Sequence, residues 1–81
     1  MQIHFSPSFI QQFAGLPKQV QKKVDKQISF LQSNIRHPSL HAKKYDETQN
    51  IWQARVNGGY RFYFQIIGDT YELLFVIQHP K

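Results

Sequence analysis

Arg55 and Arg61 stand in "WQARVNGGYRFYF" (52–64), one on each side of an Asn-Gly-Gly turn. The flanking runs read as β-strands, and the turn is a hairpin signal. Strand side chains alternate between two faces. With Asn57, Gly58 and Gly59 as the loop, Val56 pairs with Tyr60, Arg55 falls opposite Arg61, and Gln53 falls opposite Tyr63. A two-residue loop would instead mix Arg55 with Phe62, which burial disfavours. Two arginines directly opposite each other repel. A bound anion reverses that sign, because a guanidinium stays charged and forks onto phosphate oxygens. Arg55, Arg61, Gln53 and Tyr63, with Lys43 and Lys44 nearby, therefore read as a phosphate-binding face. The competing reading is two arginines splayed into water, or one of them paired with Glu72.

His37 and His41 are four residues apart, but Pro38 lies between them and prevents a helical pair. No cysteine exists and no carboxylate is close in sequence, so no metal site is expected. No Gly-rich phosphate loop and no internal repeat is present. Nothing in the sequence calls for a cofactor.

These residues need a scaffold. "QIHF" (2–5) alternates and suits a short strand. Ser6 and Pro7 form an N-cap and first helical residue. Phe9 and Phe13 then share a helix face, and Gly15 suits the stop. A second helix restarts at Pro17. Val20, Val24, Ile28, Leu31 and Ile35 form its apolar stripe, while Lys18, Lys22 and Lys26 line another face with Lys23 beside them. That lysine row reads as a solvated face that also steers the chain toward a negative partner.

The basic connector 34–50 carries Arg36, His37, His41, Lys43 and Lys44, with room for a short strand near 43–45. Strands follow at about 51–56, 60–67 and 70–78. The expected fold is a two-layer α+β domain over 1–81, β-α-α-β-β-β, with two N-terminal helices packed on an antiparallel sheet. A Gly68-Asp69 turn places Tyr71, Leu73, Phe75 and Ile77 on the covered face with Trp52, Ala54, Val56, Tyr60, Phe62 and Phe64. Ile51, Ile67, Leu74 and Val76 join the arginine face with Gln65 and Glu72.

The chain has 81 residues, net charge +5, and 41% hydrophobic content, enough for a small core. The positive balance points to a polyanionic partner. No apolar run has the length of a membrane span or signal peptide, and no cysteine is present. A soluble, cytoplasmic protein is expected.

Taken in order, "LPKQVQKKVDKQISFL", "HPSLHAKKY", "IWQARVNGGYRFYFQI" and "YELLFVIQH" resemble the RelE/ParE superfamily of bacterial type II toxin–antitoxin toxins. The W-Q-A-R-V-N-x-x-Y-R-x-x-F segment carries most of the likeness. The resemblance implies an acidic antitoxin as partner. In RelE-like members it also implies the ribosome and messenger RNA, which is cut without metal by 2′-hydroxyl attack on the adjacent phosphate. ParE-like members instead inhibit DNA gyrase. A degenerate toxin fold that binds only antitoxin or RNA is a third reading. "GYRFYFQI" and the last-strand histidine look more like the RNase branch.

By this resemblance Arg61 holds the scissile phosphate, and Arg55 is the basic residue of the preceding strand. Gln53 stands where RelE has a lysine. His79 is similar to the C-terminal histidine of YoeB-like relatives, a general acid or base. Pro80 replaces the tyrosine that follows it there, and the catalytic tyrosine of RelE's C-terminal helix has no counterpart before Lys81. Lys81 is the last basic residue expected at the RNA. Strand alternation, however, puts His79 on the apolar face, and Tyr60 reads as a core residue. The antitoxin is expected on the arginine face, on the stripe of the second helix or on a sheet edge.

Overall fold

A computed structural model describes residues 1–79. Strand β1 (Gln2–Phe5) leads into helices α1 (Pro7–Ala14) and α2 (Lys18–Ser33). A 3-10 turn (Pro38–Leu40) precedes β2 (Lys43–Asp46), β3 (Ile51–Arg55), β4 (Tyr60–Ile67) and β5 (Thr70–Gln78). The sheet order is β1-β5-β4-β3-β2. β1 runs parallel to β5 and every other pair is antiparallel, so the five-stranded sheet is mixed. The α+β arrangement expected from sequence is present. The short strand near 43–45 is the far edge, β2.

Local chemistry explains the helix ends. Ser6 Oγ accepts the Phe9 N–H at 3.1 Å, and Pro7 opens α1. Pro17 precedes α2 in an extended conformation. Val24, Ile28 and Leu31 of α2 join Phe9, Leu40, Ala54, Val56, Phe62, Phe64, Tyr71, Leu73 and Val76 in one core. Each large apolar side chain hidden there contributes roughly 1.5–3 kcal/mol. The α2 stripe is thus used inside the molecule and is not free for a partner. Exposed apolar side chains lie at Tyr45, Ile67 and Ile77 and at α1 and β1, where Phe5 and Ile10 flank a groove that Phe9, Phe13 and Ile28 also line.

The β3–β4 register matches the expectation: Arg55 pairs with Arg61 and Gln53 with Tyr63. The β4–β5 register does not. Phe64 pairs with Leu73, but Tyr63 pairs with Phe75, so β5 bulges at Leu74. One extra residue inverts the alternation beyond it. Val76, expected on the arginine face, is 1% exposed in the core. Phe75 and Ile77, expected in the core layer, lie on the arginine face opposite Tyr63 and Arg61. The bulge frees backbone groups that the helical layer satisfies. Ser6 Oγ donates to Leu74 O at 2.6 Å, and Val76 N–H donates to Gln12 Oε1 at 3.0 Å.

Candidate functional site

The inverted alternation brings His79 to the arginines. His41, Ala42, Lys43, Gln53, Arg55, Arg61 and His79 line one cleft of about 480 Å³, large enough for a nucleotide-sized ligand. The sequence alternation had set His79 on the apolar face, and the Leu74 bulge corrects that. Beyond the strand, His79 N–H donates to Gly59 O at 2.8 Å, which ties the end of β5 to the β3–β4 hairpin. The His79 Nδ1 is buried without a hydrogen-bond partner among the described residues.

The hairpin turn aims Arg61. Asn57 Oδ1 accepts the N–H groups of Gly59 at 2.8 Å and Tyr60 at 3.1 Å, folding the loop on itself. The loop's carbonyls then face the guanidinium. Arg61 Nη1 donates to Asn57 O at 2.6 Å and Tyr60 O at 3.0 Å. Its remaining N–H groups have no acceptor among the described residues, and Arg55 opposite is exposed. Among the described residues the ion pairs are His4–Glu72 and Lys44–Glu47. Glu72 is therefore turned to His4 and neutralises neither arginine. Among the described residues the cleft is lined by Lys43, Arg55 and Arg61 and by no carboxylate, which suits an anion.

Other expected contacts fall elsewhere. Gln53 and Tyr63 are 7% and 5% exposed, and the Gln53 amide donates to the Tyr63 hydroxyl at 2.9 Å. Tyr45 and Phe75 pack on the Tyr63 ring. Tyr63 is thus part of the floor and offers no open face for a base, and Gln53 keeps only an edge in the cleft. Lys44 points away from Lys43, over the Trp52 ring at 5.0 Å, and donates to Asn50 Oδ1 at 2.6 Å. Lys18, Lys22 and Lys26 are exposed along α2 and line no part of the cleft. Lys26 sits 5.8 Å over the Phe30 ring. Lys23 is the α2 lysine on the site side, in a recess shared with Ser39, His41, Arg55 and Asn57. Lys81 lies outside the described residues. Tyr60 packs against the core, as expected.

Two supporting residues were not assigned to the site from the sequence. Gln27 reads as one more polar residue of α2, yet it is fully buried. Its Nε2 donates to Ser39 O at 3.1 Å and Arg55 O at 2.8 Å, and its Oε1 accepts from Ser39 Oγ at 3.0 Å. One amide thus joins α2, the 3-10 turn and the end of β3. His41 follows that turn with a left-handed backbone, φ 46°. The step of three from Val24 to Gln27, parallel to the apolar stripe, was the available hint for Gln27.

No family model matches the sequence, and no curated relative does. Solved structures match its fold along nearly the whole chain. A YoeB/ParE toxin from Agrobacterium tumefaciens superposes with TM-score 0.83 at 13% identity, over 99% of this chain and 100% of that one. The RelB-RelE antitoxin–toxin complex from Methanococcus jannaschii gives 0.76 at 25% identity, over 91% and 87% of the two chains. The heterotetrameric YoeB-YefM toxin–antitoxin complex from Staphylococcus aureus gives 0.79 at 15% identity, over 99% and 98%. The fold is that of the RelE, YoeB and ParE toxins, in line with the resemblance carried by the sequence segments.

Proposed function

We propose, for a chain that carries the RelE/YoeB/ParE toxin fold, that it is the toxin of a toxin–antitoxin pair. We further propose that it acts as a ribosome-dependent endoribonuclease on messenger RNA. The observation that carries the reading is the cleft in which Arg55, Arg61 and His79 meet, with no carboxylate among its described lining residues. Arg61, fixed by two loop carbonyls, and Arg55 would grip the nonbridging oxygens of the scissile phosphate and offset charge as it builds on them. The 2′-oxygen attacks phosphorus and loses its proton, the P–O5′ bond breaks, and O5′ gains a proton. The products are a 2′,3′-cyclic phosphate and a 5′-hydroxyl. His79 would serve one of the proton transfers.

The ribosome is the partner that this reading proposes, and charge and size are compatible with it. A small +5 domain holds one phosphate well but has little surface for a long RNA. The lysines of α2 would add salt-sensitive contacts away from the chemistry. The solved relatives in complex with RelB and YefM support an antitoxin partner. The exposed Phe5 and Ile10 beside the α1 groove give such a protein an apolar foothold, and the cationic cleft favours acidic residues.

Induction in cells tests this reading against gyrase inhibition. Protein synthesis should stop first, with plasmid supercoiling still normal at that time. Loss of supercoiling ahead of translation would favour the ParE-like alternative.

A further inference from the structure

Of the lysines along α2, one is placed differently from the rest. Lys18, Lys22 and Lys26 are exposed, whereas Lys23 is half-buried. It stands one turn before the buried Gln27, and residues four apart share a helix face. The Gln27 amide donates to Ser39 O and Arg55 O, so this face of α2 is held against the 3-10 turn and the end of β3. Lys23 is thereby brought to the arginine site. It lines a recess of about 220 Å³ with Ser39, His41, Arg55, Val56 and Asn57.

This recess adjoins the cleft and shares Arg55 and His41 with it, while Gln53, Arg61 and His79 line the cleft alone. Arg55 therefore stands between two cations: Arg61, opposite it across the strands, and Lys23, across the recess.

Two cations that line one small recess favour an anion in it. The chain's own carboxylates do not fill that role. It has five Asp and Glu side chains, and each is placed elsewhere. Asp25, the acid of α2, lines the groove beside α1. Asp46 Oδ1 accepts the Thr48 and Gln49 N–H groups, and Asp69 Oδ1 accepts from Thr70 Oγ1. Glu47 pairs with Lys44, and Glu72 pairs with His4. The volume is less than half that of the cleft and below the usual range for a whole small-molecule ligand, which suits a single phosphate group.

Adjacency then selects the source of that phosphate. An RNA strand carries one phosphodiester on each side of the scissile one. A strand whose scissile phosphate is gripped by Arg61 and Arg55 can set a neighbouring phosphate on the far side of Arg55. We infer that Lys23 and Arg55 form a second anion subsite, which holds the messenger phosphodiester next to the scissile one. Arg55 then lies between two negative charges, which offset its repulsion with Arg61. Lys23 reaches no reacting atom. Its contact fixes which linkage of the strand enters the cleft, as phosphate contacts set register in other nucleic-acid complexes.

The subsite rests on the proposed nuclease function, and the experiment separates the two. Single-turnover cleavage on programmed ribosomes is measured against protein concentration for the wild type, Lys23→Gln and Lys23→Arg, variants as compatible with a helix as lysine. The messengers carry a neutral methylphosphonate at one or the other linkage beside the cut. A 2′-O-methyl ribose keeps that linkage intact, and the same ribose with an ordinary phosphate is the reference. Lys23→Gln should need about 10-fold more protein for half-maximal cleavage, with the rate at saturation unchanged, because the contact is made equally before and in the transition state. Its log–log dependence of affinity on salt should be shallower by about 0.7. Lys23→Arg keeps the charge and should keep most of the affinity. In the wild type one of the two methylphosphonates should cost a similar factor, and in Lys23→Gln the same methylphosphonate should cost nothing more. Wild-type affinity in Lys23→Gln overturns the subsite alone. So does a full further loss from either methylphosphonate in that variant, which would put the Lys23 contact on ribosomal RNA. A wild-type protein that cuts no ribosome-bound messenger overturns the nuclease function and the subsite with it.

Discussion

Arg61→Ala should give a folded protein that no longer arrests growth, with cleavage reduced at least about 100-fold. Removing one preorganised donor aimed at developing charge costs that much or more in other active sites. The fold should tolerate the change. Among the described residues the Arg61 guanidinium hydrogen-bonds to the carbonyls of Asn57 and Tyr60, in a surface hairpin where water can replace it. Losing those bonds costs about 1 kcal/mol, and relief of the repulsion with Arg55 offsets part of it. Arg61→Lys keeps the charge but not the two-pronged grip, and should recover only part of the rate. Induced growth, cleavage rate and thermal melting of the three proteins check this. Full toxicity in a folded Arg61→Ala protein would remove the phosphate-holding role.

Gln27→Ala should act the other way round, chiefly on stability. The side chain is fully buried and makes three hydrogen bonds, two of them to backbone carbonyls. Truncation leaves Arg55 O, Ser39 O and Ser39 Oγ without this partner in a sealed site and opens a cavity. The expected loss is about 2–4 kcal/mol. A domain of this size has a total stability of roughly 5–15 kcal/mol, so the melting temperature should fall by more than about 10 °C. Cleavage should also drop under conditions where the variant is still folded, because the His41 turn and Arg55 are no longer joined. Urea titration of the wild type and Gln27→Ala gives the first number. A difference under about 0.5 kcal/mol would mean that this amide does not hold the site together.

Legibility in the sequence followed the physics of each signal. The Arg55–Arg61 pairing was readable because a loop of known length fixes hairpin register and because burial rejects the alternative. Ser6 and Pro7 announced α1 through capping chemistry that is local in the chain. The Leu74 bulge was not readable. It depends on Ser6 and Gln12, more than 60 residues earlier, satisfying backbone groups of β5. A period-two count along β5 therefore misplaced Phe75, Val76, Ile77 and His79. Gln27 was hidden for the same reason, since its partners lie in the 3-10 turn and β3. The resemblance supplied His79 despite the faulty count. It did not single out His41, whose place in the cleft appears only once β2 is set beside β3.

The most direct test of the account is to map what the purified protein does to a defined messenger RNA on stalled ribosomes. The account predicts a cut in the ribosome-bound messenger, with a 2′,3′-cyclic phosphate on one fragment and a 5′-hydroxyl on the other. The cut should be absent on free RNA at the same protein concentration and absent with Arg61→Ala. An intact messenger on the ribosome, with gyrase-driven supercoiling blocked by the same preparation, would contradict it.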